Sequence, residues 1–150
     1  MAGENLVEKL NTVLADTYVT LMLTQNVHWN IVGTGFHGIH KMTEAQYEEM
    51  FTAVDDIAER IRALGYPAPS GLGEYAKLTT IKTTDTTMLS TISACQHMID
   101  ANQQLCQSLR AAVDLAEAGG DRATADFMIS RIQQHDKYIW MLTATVTGTD

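Results

Sequence analysis

Proline is scarce in this 150-residue chain, with Pro 2 against Met 8, and aromatic residues make up only 7%. That balance disfavours a sandwich of short strands and favours long helices. Cysteine is as sparse, with Cys95 and Cys106 alone. On one helix the two would stand roughly 16 Å apart along the axis, too far for a disulfide, so they read as buried thiols of a reduced compartment. No apolar run approaches the roughly 18 residues that span a bilayer, which excludes a membrane helix. Met1–Ala2–Gly3–Glu4–Asn5 carries neither a basic stretch nor an apolar leader core, so a cytoplasmic location is expected. Basic residues are also few: Lys+Arg is 10 and Asp+Glu is 18, a net charge of −8. Such a surface repels phosphate and attracts cations. What the chain does have is 45% hydrophobic residues, enough to bury the core of one domain over 1–150.

Glycine and proline cluster at Gly33–Thr34–Gly35, from Gly65 to Gly73, and at Gly119–Gly120. The intervening segments Asn5–Val32, Phe36–Leu64, Asp85–Ala118 and Asp121–Thr147 are far longer than strands, and their apolar residues recur at helical spacing. Leu6, Leu10, Val13, Leu14 and Leu21 mark the first stripe, Met50, Val54, Ile57 and Ile61 the second. Met88, Ile92, Cys95, Ile99, Cys106 and Leu109 mark the third. Asp85 and Gly119 suit the caps of the third helix, and Asp121 the N-cap of the fourth. Between the second and third helices lie about twenty residues, too many for a tight turn, with a short helix expected at Glu74–Leu78. The expected fold is therefore all-α: a four-helix bundle with a long crossover between helices 2 and 3, the ferritin-like topology. Val19, Met22, Leu23, Met42 and Phe51 add apolar surface outside the main stripes, which suggests a subunit interface.

Candidate metal ligands concentrate between His28 and Glu59. His40 and Glu44 stand four residues apart, as do Asp55 and Glu59, so each pair projects from one helix face. His28 near the end of the first helix and His40 in the second turn of the next are joined by a glycine-containing corner able to bring both imidazoles together. The two pairs, however, are separated by roughly 22 Å of straight helix and cannot meet within one chain. The Glu-x-x-His motif of an intrasubunit bundle site is absent. A two-fold axis at the midpoint between the pairs, by Glu49 and Met50, would set His40 and Glu44 of one copy against Asp55 and Glu59 of its partner, twice per dimer. Imidazoles with carboxylates suit ferrous iron, manganese or zinc. The competing reading of the same spacing is a solvated helix face, with His28 an ordinary buried histidine.

The run His28–Trp29–Asn30–Ile31–Val32–Gly33, then Phe36, His40, Glu44 and Asp55–Asp56–Ile57–Ala58–Glu59–Arg60, resembles the signature of the Dps miniferritins, DNA-binding proteins from starved cells. Leu64–Gly65 and Arg131, His135, Lys137 and Trp140–Met141–Leu142 extend the likeness to nearly the whole chain. The resemblance implies a hollow homo-dodecamer built from two-fold dimers, with ferroxidase sites at those interfaces. His28, His40 and Glu44 would come from one subunit, Asp55 and Glu59 from the other. It implies oxidation of Fe²⁺ by hydrogen peroxide or O₂, storage of ferric mineral and protection against oxidative stress. Trp29 would lie beside the site and quench radicals, or else be a core aromatic at a helix contact. Asp121 and Asp126 match acids lining the family's three-fold pores, although Asp121 also fits a plain N-cap. Three departures stand out. Glu44 replaces the commoner aspartate, Ser130 replaces a further acid of some members, and no lysine-rich tail accompanies Lys9 or the Thr147–Gly148–Thr149–Asp150 end. A nucleoid protein that binds and coats DNA is the alternative function. His37, His97 and His135 read as ordinary helix residues, His37 also as a transient iron ligand.

Overall fold

The computed structural model describes residues 2–83 and 89–148. Five helices follow in order: α1 Ala2–Asn30, α2 Phe36–Ala63, α3 Leu72–Leu78, α4 Thr91–Ala118 and α5 Arg122–Val146. Four are long and one is short, and no strand occurs among the described residues. α1 packs along α2 and α4, α5 along α4, and α3 lies against α1 on the crossover. The bundle and its crossover thus match the expected all-α fold.

The boundaries move in instructive ways. α4 begins at Thr91, not Asp85: Ser90 is its N-cap, and Ser93 N–H donates to the Ser90 hydroxyl at 3.4 Å. Asp85 and Met88 lie outside the described residues. Just before that cap, Ile31 and Leu89 form an isolated parallel bridge, in which Val32 N–H donates to the Leu89 carbonyl at 3.3 Å. The bridge spends the backbone groups that a longer helix would have used, and it pins the α1–α2 corner to the start of α4. Gly33 takes φ +103° at this corner, which side-chain-bearing residues avoid. At Gly35 a Cβ would stand 2.6 Å from the Thr91 hydroxyl oxygen, so any larger residue there would push the Thr91 side chain aside.

Leu10, Leu14, Met50, Ile57, Ile61, Met98, Leu105, Leu109, Met128 and Leu142 are fully buried between the long helices. Val19 joins this interior rather than the expected interface stripe, since it is 5% exposed within one chain. Met22 and Phe51 do stay exposed, Phe51 at 68%. Cys95 and Cys106 are buried and free, and burial pushes both thiols up to about 11.

The crossover is held by a buried carboxylate. Asp16 of α1 accepts from the Thr79 hydroxyl, the Thr80 N–H, the Thr80 hydroxyl and, from α4, the Ser108 hydroxyl, all at 2.7 Å. Four donors satisfy a group that would be very costly to bury alone. α3 adds Tyr75, whose ring stacks on Tyr18 with centroids 4.7 Å apart.

Candidate metal centre

His28 closes the last turn of α1 and His40 the second turn of α2, and the corner between them lays one imidazole on the other. The ring centroids are 3.7 Å apart and the planes 12° from parallel. His28 Nδ1 lies 2.8 Å from the His40 carbonyl oxygen, and His40 Nδ1 lies 2.8 Å from the His28 carbonyl oxygen. A carbonyl can only accept, so both Nδ1 atoms carry a hydrogen, and Nε2 is the nitrogen of each ring left to bind a metal. Ligating histidines commonly donate their other ring N–H in such a bond. Phe36 stacks on His40 at 5.0 Å, and Tyr47 meets His28 edge-on at 5.2 Å. His28 is 8% exposed, so its ring is firmly seated.

Glu44 follows one turn after His40. Its carboxylate accepts from Lys41 Nζ at 3.1 Å, and that bond and charge hold the carboxyl below its ordinary range. The imidazole pair and an acid therefore occupy one end of α2.

The other end holds the carboxylates. Asp55, Asp56 and Glu59 are exposed, and each offers an oxygen within 4.8 Å of the others. Asp56 belongs to this cluster, beyond the expected Asp55 and Glu59 pair. One unbroken helix separates the two halves, as the residue count requires. Within the chain, Asp55 and Glu59 do not join His28, His40 and Glu44.

The remaining sites fall into place around these halves. Trp29 is 66% exposed, which rules out a core aromatic of the subunit. Asp121 is the N-cap of α5, accepting from Thr124 N–H at 3.0 Å, and it also pairs with Arg60 Nη2 at 3.2 Å. Burial opposes its ionisation, but the Thr124 bonds and the Arg60 charge outweigh it and hold the carboxyl below its usual range. Asp126 and Ser130 are exposed on the following turns, and the Ser130 hydroxyl donates to the Phe127 carbonyl at 2.6 Å. His37 is exposed and His97 half-buried.

His135 is more than an ordinary helix residue. It is fully buried: its Nδ1–H donates to Asn102 Oδ1 at 2.8 Å, and its Nε2 accepts from Arg131 Nη2 at 3.0 Å. Burial, then the Arg131 charge, push its pKa well below the ordinary imidazole value, so it is neutral. Arg131 forms a two-pronged pair with Glu49, and the Tyr138 hydroxyl donates to Glu49 at 2.6 Å. This chain of bonds joins α4, α5 and the midpoint of α2. The sequence likeness includes Arg131 and His135 but gave no sign of this network, because Asn102 and Glu49 are distant from them in the chain.

Known proteins match this arrangement along its length. The Ferritin family, described as a ferritin-like domain, matches residues 7–150. The DNA protection during starvation protein of Helicobacter pylori is 34% identical over 91% of this chain and 95% of its own. The chain belongs to the Dps family. A Dps protein from Vibrio cholerae O1, described as a member of a broad superfamily of ferritin-like diiron-carboxylate proteins, superposes with TM-score 0.89 at 32% identity. The match covers 95% of this chain and 89% of that one. An uncharacterized low temperature-induced protein of Nostoc is 33% identical over 97% of this chain and 82% of its own. Among the Dps relatives the bundle and crossover are thus shared over nearly their whole length.

Proposed function

We propose that this protein is an iron-oxidising and iron-storing miniferritin whose reaction site forms between two copies of the chain. The observation that carries the reading is the mutual clasp of His28 and His40, which engages both Nδ1 atoms and leaves Nε2 of each ring as the ligating nitrogen at one end of α2. Three clustered carboxylates lie at the other end of the same helix. Antiparallel pairing of α2 about its midpoint brings each half against the complementary half of the partner. His28, His40 and Glu44 of one copy, with Asp55 and Glu59 of the other, then hold Fe²⁺ as substrate. The donor set suits this ion, since borderline imidazole nitrogen and hard carboxylate oxygen together accommodate both ferrous and ferric states.

The residues have distinct tasks. The imidazoles offer Nε2, because the two carbonyl contacts engage Nδ1 and fix the ring orientation. The carboxylates supply the negative charge that stabilises the ferric product over the ferrous substrate. Hydrogen peroxide is the proposed oxidant: one molecule takes an electron from each of two Fe²⁺ ions, and two protons, to become two waters. Trp29, exposed next to His28, is placed to quench stray radicals. The ferric product is stored inside a hollow dodecamer. Asp126, with Asp121 at the α5 N-terminus, lines the route by which Fe²⁺ enters. The physiological role that follows is protection against oxidative stress in the cytoplasm.

The test is anaerobic addition of Fe²⁺ followed by peroxide. Ferric absorbance should rise on peroxide addition, at stoichiometric peroxide, and His28→Ala/His40→Ala should abolish the fast phase. A native protein that stays colourless, or a variant as fast as the native one, would exclude this function.

A further inference from the structure

Phe51 is 68% exposed on α2, a large apolar ring turned away from the core of its own chain. His40, Glu44, Glu48, Phe51, Asp55 and Glu59 recur three or four positions apart, so they form one stripe along that helix. The stripe is symmetric about the point between Glu49 and Met50: His40 mirrors Glu59, Glu44 mirrors Asp55, and Glu48 mirrors Phe51. The two-fold pairing that opposes the metal-site halves therefore sets Phe51 of each copy against the Glu48 position of the other, next to the axis. Beside Glu48 lies a groove of about 250 Å³, lined by Leu21, Gln25, Tyr47, Glu48 and Phe51 itself. Leu21 is buried in a small core cluster with Met50, and Tyr47 packs against that cluster, so the apolar part of the groove is firmly backed. One face thus carries an exposed aromatic knob and a hole at mirrored positions.

We propose that Phe51 of each copy seats in this groove of a second copy, so that two equal seats straddle the axis and fix the register of α2 against α2. The proposal rests on the shared-site reading above and names the contact that aligns it. The occupant is a second copy of this chain because an isologous contact must fit itself, and the knob and the hole share one face. Seating the ring against Leu21 and Tyr47 takes a large apolar surface out of water. Register decides whether the metal-site halves meet. With the axis at Phe51 itself, the two rings would stack on each other, Glu44 would face Ala58, and His40 would face Arg62. The groove also adjoins the imidazole pair, since Tyr47 meets His28 edge-on at 5.2 Å.

The test places a photoreactive benzoylphenylalanine at position 51 of the full-length protein. Unlabelled and ¹⁵N-labelled copies are unfolded together, reassembled and irradiated, and mass spectrometry of the peptides separates links between copies from links within one. Links between copies should join position 51 to the peptides that hold Leu21 and Gln25 or Tyr47 and Glu48. Links from position 51 to position 51, to another surface, or only within one copy overturn the proposal. Dilution followed by native mass spectrometry gives a second measure. Phe51→Ala should raise the concentration at which copies separate by about a hundredfold, as the loss of a central aromatic anchor does. Gln25→Trp, which fills the groove, should do the same, and the two changes together should cost little more than either alone because they break one contact. Separation at the native concentration in both single variants overturns the proposal. Links in the groove without fast iron oxidation would sink the iron reading and leave the seat standing. Iron oxidation at shared sites with links elsewhere would sink the seat alone.

Discussion

Replacing Asp16 tests whether the crossover is anchored by hydrogen bonds to one buried carboxylate. Asp16→Ala strands three hydroxyls and the Thr80 N–H in a site that is 0% exposed at Asp16 itself. Each unsatisfied buried donor costs about 1–3 kcal/mol. The hydroxyls can rotate toward other acceptors, but the Thr80 amide cannot, so the net loss should be about 3–4 kcal/mol rather than the full sum. Asp16→Asn should behave differently. Its remaining oxygen can keep Thr79 and the Thr80 N–H, while the amide faces the Thr80 and Ser108 hydroxyls, which can reverse and accept. Only the charge assistance is lost, about 1 kcal/mol. With a urea slope of about 2 kcal/mol/M, alanine lowers the midpoint by about 1.5–2 M and asparagine by about 0.5 M. Hydrogen exchange measured by mass spectrometry adds a local readout: the peptide spanning Thr79–Ile81 should lose protection in the alanine variant and keep it in the asparagine variant. Equal effects of the two variants, or an alanine variant with native exchange over Thr79–Ile81, would refute the anchoring role.

Further outcomes follow from the buried network and the thiols. His135 is held neutral in the folded chain, so below the ordinary imidazole pKa of about 6.5 the unfolded chain takes up a proton that the folded one refuses. Its contribution is fully present above that pH and fades below it by about 1.4 kcal/mol per pH unit. Urea midpoints from neutral to mildly acidic pH should fall more steeply for native protein than for His135→Gln. Glu49→Gln removes the charge opposite Arg131, whose side chain is 7% exposed, and should cost about 3 kcal/mol. Glu49→Leu with Arg131→Met should cost less than the two single changes added, as a double-mutant cycle would show. Cys95 and Cys106, buried with thiols near 11, should resist alkylation at neutral pH and react once the chain is unfolded.

The long helices were legible because each long apolar stripe runs between glycine clusters, and the pattern needs no distant partner. The start of α4 was not, because Asp85 and Ser90 are both good caps. The choice of Ser90 fits the bridge of Leu89 to Ile31, a contact across the fold. The candidate site was legible as residue types and spacings: His40 and Glu44, Asp55 and Glu59, and the separation that forbids one chain from joining them. The clasp of its imidazoles was not, since the contacts of each Nδ1 with the other residue's carbonyl exist only once the Gly33–Gly35 corner is folded. The anchoring role of Asp16 and the network around Arg131 and His135 were not legible for a related reason. A polar residue in an apolar stripe does not show its partners, and Thr79, Thr80, Ser108, Asn102 and Glu49 are all brought in from distant parts of the chain. Val19 was misplaced because a surplus apolar residue beside a stripe reads the same whether it faces a core or a neighbour.

The most direct measurement of the central claim is complementation between damaged copies. His28→Ala/His40→Ala and Asp55→Asn/Glu59→Gln proteins should each lack fast iron oxidation. Unfolded together and reassembled, they form mixed dimers that carry one intact site and one doubly damaged site. Random pairing should then restore about a quarter of native activity per chain, because half the dimers are mixed and each keeps one of two sites. Native mass spectrometry would verify that mixed dimers are present. Activity that returns to this level is the result expected of a site shared between copies. Mixed dimers that form and remain inactive would contradict it.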